Sequence, residues 1–173
     1  MGAPIHIRRL DPAETREVAP ALGAVLKDCV EGGASVSFMA DLTLLEAHEF
    51  WLKQAAADDG RAVLVAQDGE GICGVVQVIP AWPPNQPHRA DISKLLVHRR
   101  ARRRGVAEAL MHAAEEAARG MGRTVLVLDT VTGGTAERLY ERLGWTRVGS
   151  IPDFALMPDG EMAATTIFYK ALA

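Results

Sequence analysis

Cysteine is scarce in this sequence, and its scarcity removes whole classes of protein. Cys29 and Cys73 are the only two, too few for a four-thiolate zinc site or for the disulfide framework of a small secreted domain. Long hydrophobic runs are missing too. Nothing approaches the roughly 18 apolar residues that cross a bilayer, and Arg8 and Arg9 are followed by no signal-peptide core. The expectation is a cytoplasmic protein in a reducing compartment, with no membrane partner. Nor is positive charge in excess: a net charge of -3 and a pI near 5.9 oppose a protein built to coat nucleic acid. His48 has no second His, Cys or carboxylate at ligand spacing, so no metal is expected. No internal repeat or low-complexity segment is present. A length of 173 residues with 49% hydrophobic content suits one domain over residues 1–173 with a sizeable core.

The punctuation of the chain divides it into short elements. Ile5 to Leu10 alternates like a strand, and Asp11-Pro12 opens a helix that carries Val18, Leu22, Val25, Leu26 and Cys29 on one face and stops before Gly32-Gly33. A loop to Ala40 leads to a second helix, capped by Asp41 or Thr43. Its predicted apolar face is Leu44, Leu45, Ala47, His48, Trp51, Leu52 and Ala55. Ala62 to Gln67 and Ile72 to Ile79 read as a hairpin about Asp68-Gly69-Glu70-Gly71. The prolines of residues 80–87 then force a loop before a strand from Arg89 to Val97. Thr124 to Thr130 reads as a buried strand, Thr135 to Arg142 as a short helix, Trp145 through Val148 as a strand, and Ala163 to Tyr169 as the last strand.

The stretch from Asp91 to Ala107 has the clearest chemistry. An apolar run containing Ile92, Leu95, Leu96 and Val97 gives way to a helical pattern at Val106, Leu110, Ala114, Ala117 and Met121. Between them lies Arg102-Arg103-Arg104-Gly105-Val106-Ala107. A helix that starts there exposes unpaired N–H groups and the positive end of its dipole to an anion. Gly105 lets a bulky anion come close to the backbone, and the arginines supply charge. Six of the seven residues from His98 to Arg104 are Arg or His, a local basic patch in an acidic chain.

Arg-x-x-Gly-x-Ala after a strand resembles the pyrophosphate loop of the Gcn5-related N-acetyltransferase (GNAT) superfamily. A second segment, Ala136-Glu137-Arg138-Leu139-Tyr140-Glu141-Arg142-Leu143-Gly144-Trp145, resembles that superfamily's Ala-x-x-x-Tyr-x-x-x-Gly-aromatic motif at the expected distance downstream. The element order β-α-α-β-β-β-α-β-α-β-β agrees. The fold this implies is α/β, with a mixed, mostly antiparallel sheet whose central strand pair is parallel and flanked by helices. Residues 32–42, Leu128-Asp129-Thr130, Thr146 to Gly149 and Pro158-Asp159-Gly160 further resemble the tabtoxin-resistance acetyltransferases. One position departs: where many members carry Asn, this chain has Gly133.

The resemblance implies direct transfer of an acetyl group from acetyl-CoA to an amine, through a tetrahedral intermediate and without an acyl-enzyme. The amine must lose a proton, the oxyanion needs a donor, and the thiolate needs an acid. Tyr140 matches the family acid, the plain alternative being a packed core tyrosine. The oxyanion donor implied is a backbone N–H near Leu96. Asp91 and Asp129 are candidates to accept the amine proton, to bind the substrate ammonium, or to serve as surface or cap residues. Residues expected at the cofactor are Leu95, Leu96, Val97, Arg102, Arg103, Arg104, Gly105, Val106, Ala107, Ala136 and Tyr140. Ser35, Phe38 and Met39 are expected at the acceptor, with anchoring of their loop to the core as the alternative for Phe38 and Met39.

The leading reading is thus acetylation of a small-molecule primary amine, such as an amino acid or an amino-acid-like toxin. Other readings are a protein amine as acceptor, an acyl-CoA sensor without turnover, and a nucleic-acid binder using residues 98–104. Specific nucleic-acid binding is not expected, because it leaves Gly105 and the tyrosine motif without a purpose. Family habit adds a homodimer.

Overall fold

The computed structural model describes residues 4–172; residues 1–3 and 173, the ends of the span read as one domain, lie outside it. Its strands are β1 (His6–Leu10), β2 (Ala62–Asp68), β3 (Gly71–Pro80), β4 (Arg89–Val97), β5 (Val125–Val131), β6 (Thr146–Leu156) and β7 (Met162–Ala171). Its helices are α1 (Pro12–Glu17), α2 (Ala19–Glu31), α3 (Leu44–Ala56), α4 (Val106–Gly120) and α5 (Thr135–Arg142). The strands form one sheet in the order β1-β2-β3-β4-β5-β7-β6. Only β4 and β5 are parallel, as a crossover through α4 requires, while the turn-linked strands run antiparallel.

The sheet separates two cores. On one face α4 and α5 cover Leu64, Val76, Ile92, Leu126, Leu128 and Phe168. On the other, α2 and α3 cover Val63, Val65, Val75 and Leu96. Alternation along β2 and β3 sends neighbouring residues to opposite cores, so both strands are buried on both sides.

Three expectations are corrected. The first predicted helix is two, parted at Val18, whose φ of -92° and ψ of 6° serve as C-cap of α1 and N-cap of α2. Pro20 has no N–H to continue an α-helical ladder and occupies the first turn of α2 instead, where none is needed. In α3, Ala47, Trp51 and Ala55 are buried, but Leu44 and Leu45 are 57% and 65% exposed. They occupy the first turn, which the Thr43–Glu46 capping box holds in place without burial. The strand predicted through Val148 runs on to Leu156 despite Pro152. It lies at the edge of the sheet, where a proline leaves no ladder donor missing.

Candidate active site

The pairing of β4 with β5 is short. Arg89, Ala90 and Asp91 are level with Val125, Leu126 and Val127, and there it stops. On its other side β4 stays paired with β3 as far as Val97 opposite Gly74. From Ile92 to Val97, β4 therefore turns one backbone edge into a fork with no strand on it. Backbone amides in such an edge need partners, and an extended amide-bearing ligand can supply them by adding itself as a strand.

The N-terminus of α4, expected from the sequence to be an anion cradle, starts just beyond the fork. Gly105 is the N-cap of α4 with φ 75°, and no side chain caps the helix. The first backbone bond into the helix runs from the Ala109 N–H to the Gly105 oxygen, so the preceding N–H groups of the turn remain available. A β-carbon on Gly105 would meet no protein atom; the left-handed backbone, not packing, calls for glycine here. At Gly74 packing does. A β-carbon there would stand 3.0 Å from side-chain atoms of Val106 and Leu110 and 3.2 Å from the Leu96 oxygen, so α4 begins pressed against the strand backbone. Val106 is in the core and Ala107 half-buried.

The arginines divide by partner. Arg104 pairs with Asp68 at 3.0 Å and Arg100 with the same carboxylate at 2.8 Å. Asp68 is 2% exposed, and hydrogen bonding, chiefly from Arg100, holds its pKa at about 2. This clamp ties the β2–β3 hairpin to the segment leading into α4. Arg99 is spent on Asp28 and Glu31, and Arg102 donates to the Val97 oxygen at 3.3 Å. Arg103 is exposed, with φ 60°, and among the described residues no partner engages its guanidinium.

A cleft of about 360 Å³ opens where the parallel strands part, lined by Ile79, Asp91, Ser93, Asp129, Phe154 and Ile167 among others. Asp91 and Asp129, predicted from opposite ends of two strands, thus meet at one cavity. Their surroundings differ. Asp91 takes an ion pair from Arg89 at 2.5 Å, whereas Asp129 accepts from the Thr165 hydroxyl at 2.7 Å and has no cation at ion-pair distance among the described residues. Ser35, Phe38 and Met39 are not among the lining residues. Ser35 donates to the Leu156 oxygen at 3.2 Å, Phe38 packs edge-on against Phe50 at 5.2 Å, and Met39 is solvent-exposed.

Two residues went unpredicted: Lys94, which is not among the lining residues of the cleft but directly follows one of them, Ser93, and Phe154, which is part of that lining. Lys94 sits in a bulge: Gln77 opposes Ser93 and Val75 opposes Leu96, so Lys94 and Leu95 share Val76. Lys94 has φ 53°, an unusual conformation for a residue with a β-carbon. Leu95 still packs with the α4 core and Leu96 with the α2–α3 core, while Lys94 joins Ser93 on the α3 side. Its Nζ lies 3.3 Å from Ser37 Oγ and 5.7 Å from the centre of the Phe50 ring. Burial pushes its pKa down, against an opposing pull from Asp129. Two successive polar residues, Ser93 and Lys94, breaking an alternating strand were the available signal. The second residue, Phe154, reaches the cleft from an irregular stretch of β6 between Ile151 and Ala155, which no local pattern announces.

Tyr140 is 6% exposed and packs against Trp145 and Phe168. Burial, aided by the Asp129 carboxylate, pushes its phenol up to about 12, so at neutral pH it holds its proton and can donate it. Trp145 Nε1 donates to Glu115 of α4 at 3.2 Å, which fixes the end of the tyrosine motif to the cradle helix. Ala136 is half-buried against the same core. Near Gly133, the Thr166 hydroxyl and the Gly133 N–H hold the Glu137 carboxyl below its usual range. Among the described residues no cluster of three or more His, Cys, Asp or Glu could hold a metal, and no helix is long and apolar enough to cross a membrane.

A splayed parallel strand pair above a glycine-led helix, with a buried tyrosine alongside, defines an acyltransferase-type fold. The acetyltransferase (GNAT) family model matches residues 33–145, and the chain belongs to that family. It is 30% identical over 111 residues to N-acetyltransferase 8 of Homo sapiens, covering 63% of this chain and 49% of that protein. It is 32% identical over 113 residues to N-acetyltransferase 8B of Rattus norvegicus, covering 64% and 47%. The chain thus spans about half the length of the curated relatives it matches. In fold it is similar to a Salmonella typhimurium protein solved with its cofactor acetyl-CoA, with a TM-score of 0.80 and 18% identity over 99% of this chain and 95% of that one.

Proposed function

We propose that this protein is an acetyl-CoA-dependent N-acetyltransferase acting on the primary amine of a small molecule, an amino acid or amino-acid-like toxin among the candidates. The observation that carries the reading is the fork beside an uncapped helix N-terminus, with Asp129 lining the cleft between its arms and a protonated Tyr140 buried in the adjoining core. The residues present fit acetyl-CoA. The free edge of Ile92 to Val97 suits its amide-bearing arm, and the first turn of α4 with Gly105 and Arg103 suits its pyrophosphate. When bound, the cofactor supplies the acetyl group and leaves as the thiol.

The chain's own groups fill the remaining roles. Asp129, without a competing cation, receives the ammonium and passes its proton onward; Asp91, already paired with Arg89, shapes the mouth of the cleft. A backbone N–H of β4 near Leu96 stabilises the oxyanion by hydrogen bonding. Tyr140 donates a proton to the departing sulfur. The basic run is an unpromising nucleic-acid surface, since Arg99, Arg100 and Arg104 are already engaged by carboxylates. The test is a panel of amino acids, amino-acid amides, polyamines and aminoglycosides, each assayed with acetyl-CoA for release of CoA and for the acetylated amine. Acetyl-CoA binding without turnover of any amine would mark a sensor instead.

A further inference from the structure

Asp129 lines the cleft and Lys94 directly follows Ser93, which lines it too; the two residues carry opposite charges, and neither has a counter-ion at ion-pair distance among the described residues. Every other cation described around β4 and the cradle, apart from exposed Arg102 and Arg103, is matched: Arg89 by Asp91, Arg99 by Asp28, Arg100 and Arg104 by Asp68. A half-buried ammonium without a carboxylate is costly to keep unless something else completes it. Lys94 gets only a 3.3 Å contact to a serine hydroxyl and the face of Phe50. It is also held on the α3 side of the sheet by a bulge with a left-handed backbone. Regular alternation would have turned it toward α4, away from Asp91 and Ser93.

Resting on the acetyltransferase reading, we infer that Lys94 is a specificity-determining residue that binds the carboxylate of a zwitterionic acceptor, an α-amino acid or close analogue whose ammonium is held by Asp129. A zwitterion brings an ammonium for Asp129, which faces the cleft, and a carboxylate for Lys94, which follows the cleft residue Ser93. Ser37, on the loop between α2 and α3, accompanies Lys94, so that loop reaches the acceptor through Ser37. A neutral amine would satisfy Asp129 and leave Lys94 uncompensated, the kind of penalty by which a polar site rejects a substrate lacking one group.

The experiment compares kcat/KM for L-amino acids and for the corresponding L-amino acid amides, with acetyl-CoA, on wild type, Lys94→Met and Lys94→Arg. Wild type should prefer the acid about tenfold to a hundredfold, the scale of one hydrogen-bonded charge. Lys94→Met should collapse that ratio mainly through KM for the acid, and Lys94→Arg should retain much of it. A wild type that favours amides, or a Lys94→Met enzyme that loses acid and amide turnover in equal measure, overturns the inference and leaves the acetyltransferase reading standing. Failure of every acid and every amide to release CoA overturns both. Should Lys94→Met not fold, the acid-to-amide ratios of wild type and Lys94→Arg still decide.

Discussion

Asp91 is level with the last residue of β5 that pairs with β4, and Asp129 stands two positions beyond that residue on the departing strand. The two carboxylates therefore face one cleft from the two arms of the fork. They are not equivalent, because Arg89 neutralises only Asp91. Asp129→Asn should lower kcat/KM by roughly the 10² to 10⁴ range of a group handling the reacting proton. Asp91→Asn should cost about tenfold or less, the scale of one charge already partly compensated. Steady-state kinetics on the best acceptor separates them; equal losses would show that the ion pair with Arg89 does not decide the roles.

The fork and cradle together predict ligand linkage. Acetyl-CoA at 100 times its dissociation constant should stabilise the protein by about 2.7 kcal/mol, seen as a rise in Tm. In Gly105→Val that shift should shrink, because the β-branched side chain is strained at φ 75° and stands where the ligand must approach. An identical Tm shift in wild type and variant would place the cofactor elsewhere.

Arg103 and Arg104 are adjacent, but their loss should read out differently. Arg103→Ala should raise the dissociation constant of acetyl-CoA by roughly fivefold to tenfold, as for one exposed charge-assisted hydrogen bond, with Tm unchanged. Arg104→Ala and Asp68→Asn should lower Tm first. The Asp68 pKa lies below its unfolded value, falling from 3.8 to about 2, so its contribution is complete above pH 4 and is lost as pH falls toward 2. Acid titration of stability should therefore flatten over that interval in Asp68→Asn; an unchanged acid limb would remove the clamp.

Tyr140 sets the alkaline limb. Its phenol pKa rises from 10 to about 12 on folding, so the folded state holds the proton more tightly. The stability gained is full below pH 10 and is lost as pH rises toward 12, an effect of roughly 2 to 3 kcal/mol. Chemical denaturation from pH 8 to 12 should show a shallower decline in Tyr140→Phe than in wild type, and parallel curves would mean the phenol is not desolvated.

The start of α4 and the helix bearing Tyr140 were readable from local sequence, because local rules govern them. Gly105 after an apolar run gave the cradle, and the spacing from Ala136 to Trp145 gave the tyrosine helix. The fold followed from the resemblance of these two motifs together with the order of the elements. Features set by distant partners were not readable. Asp68 claims Arg100 and Arg104 from 32 and 36 residues away, so the six Arg and His residues between 98 and 104 gave no hint of which are engaged by carboxylates. The edge position of β6, which tolerates Pro152, depends on sheet order. The Lys94 bulge left a trace in the Ser93-Lys94 pair, but only the partner strand reveals which face the lysine takes.

The proton delivered by Tyr140 is the central chemical claim, and Tyr140→Phe tests it most directly by removing the hydroxyl while keeping the ring between Trp145 and Phe168. The decisive measurement is kcat of this variant under conditions where chemistry limits turnover, taken beside its affinity for acetyl-CoA. The expected result is a fall in kcat of roughly 10² to 10⁴ with affinity nearly unchanged, since the lost interaction belongs to the transition state. A wild-type kcat in the Phe variant would contradict it and leave water as the source of the proton.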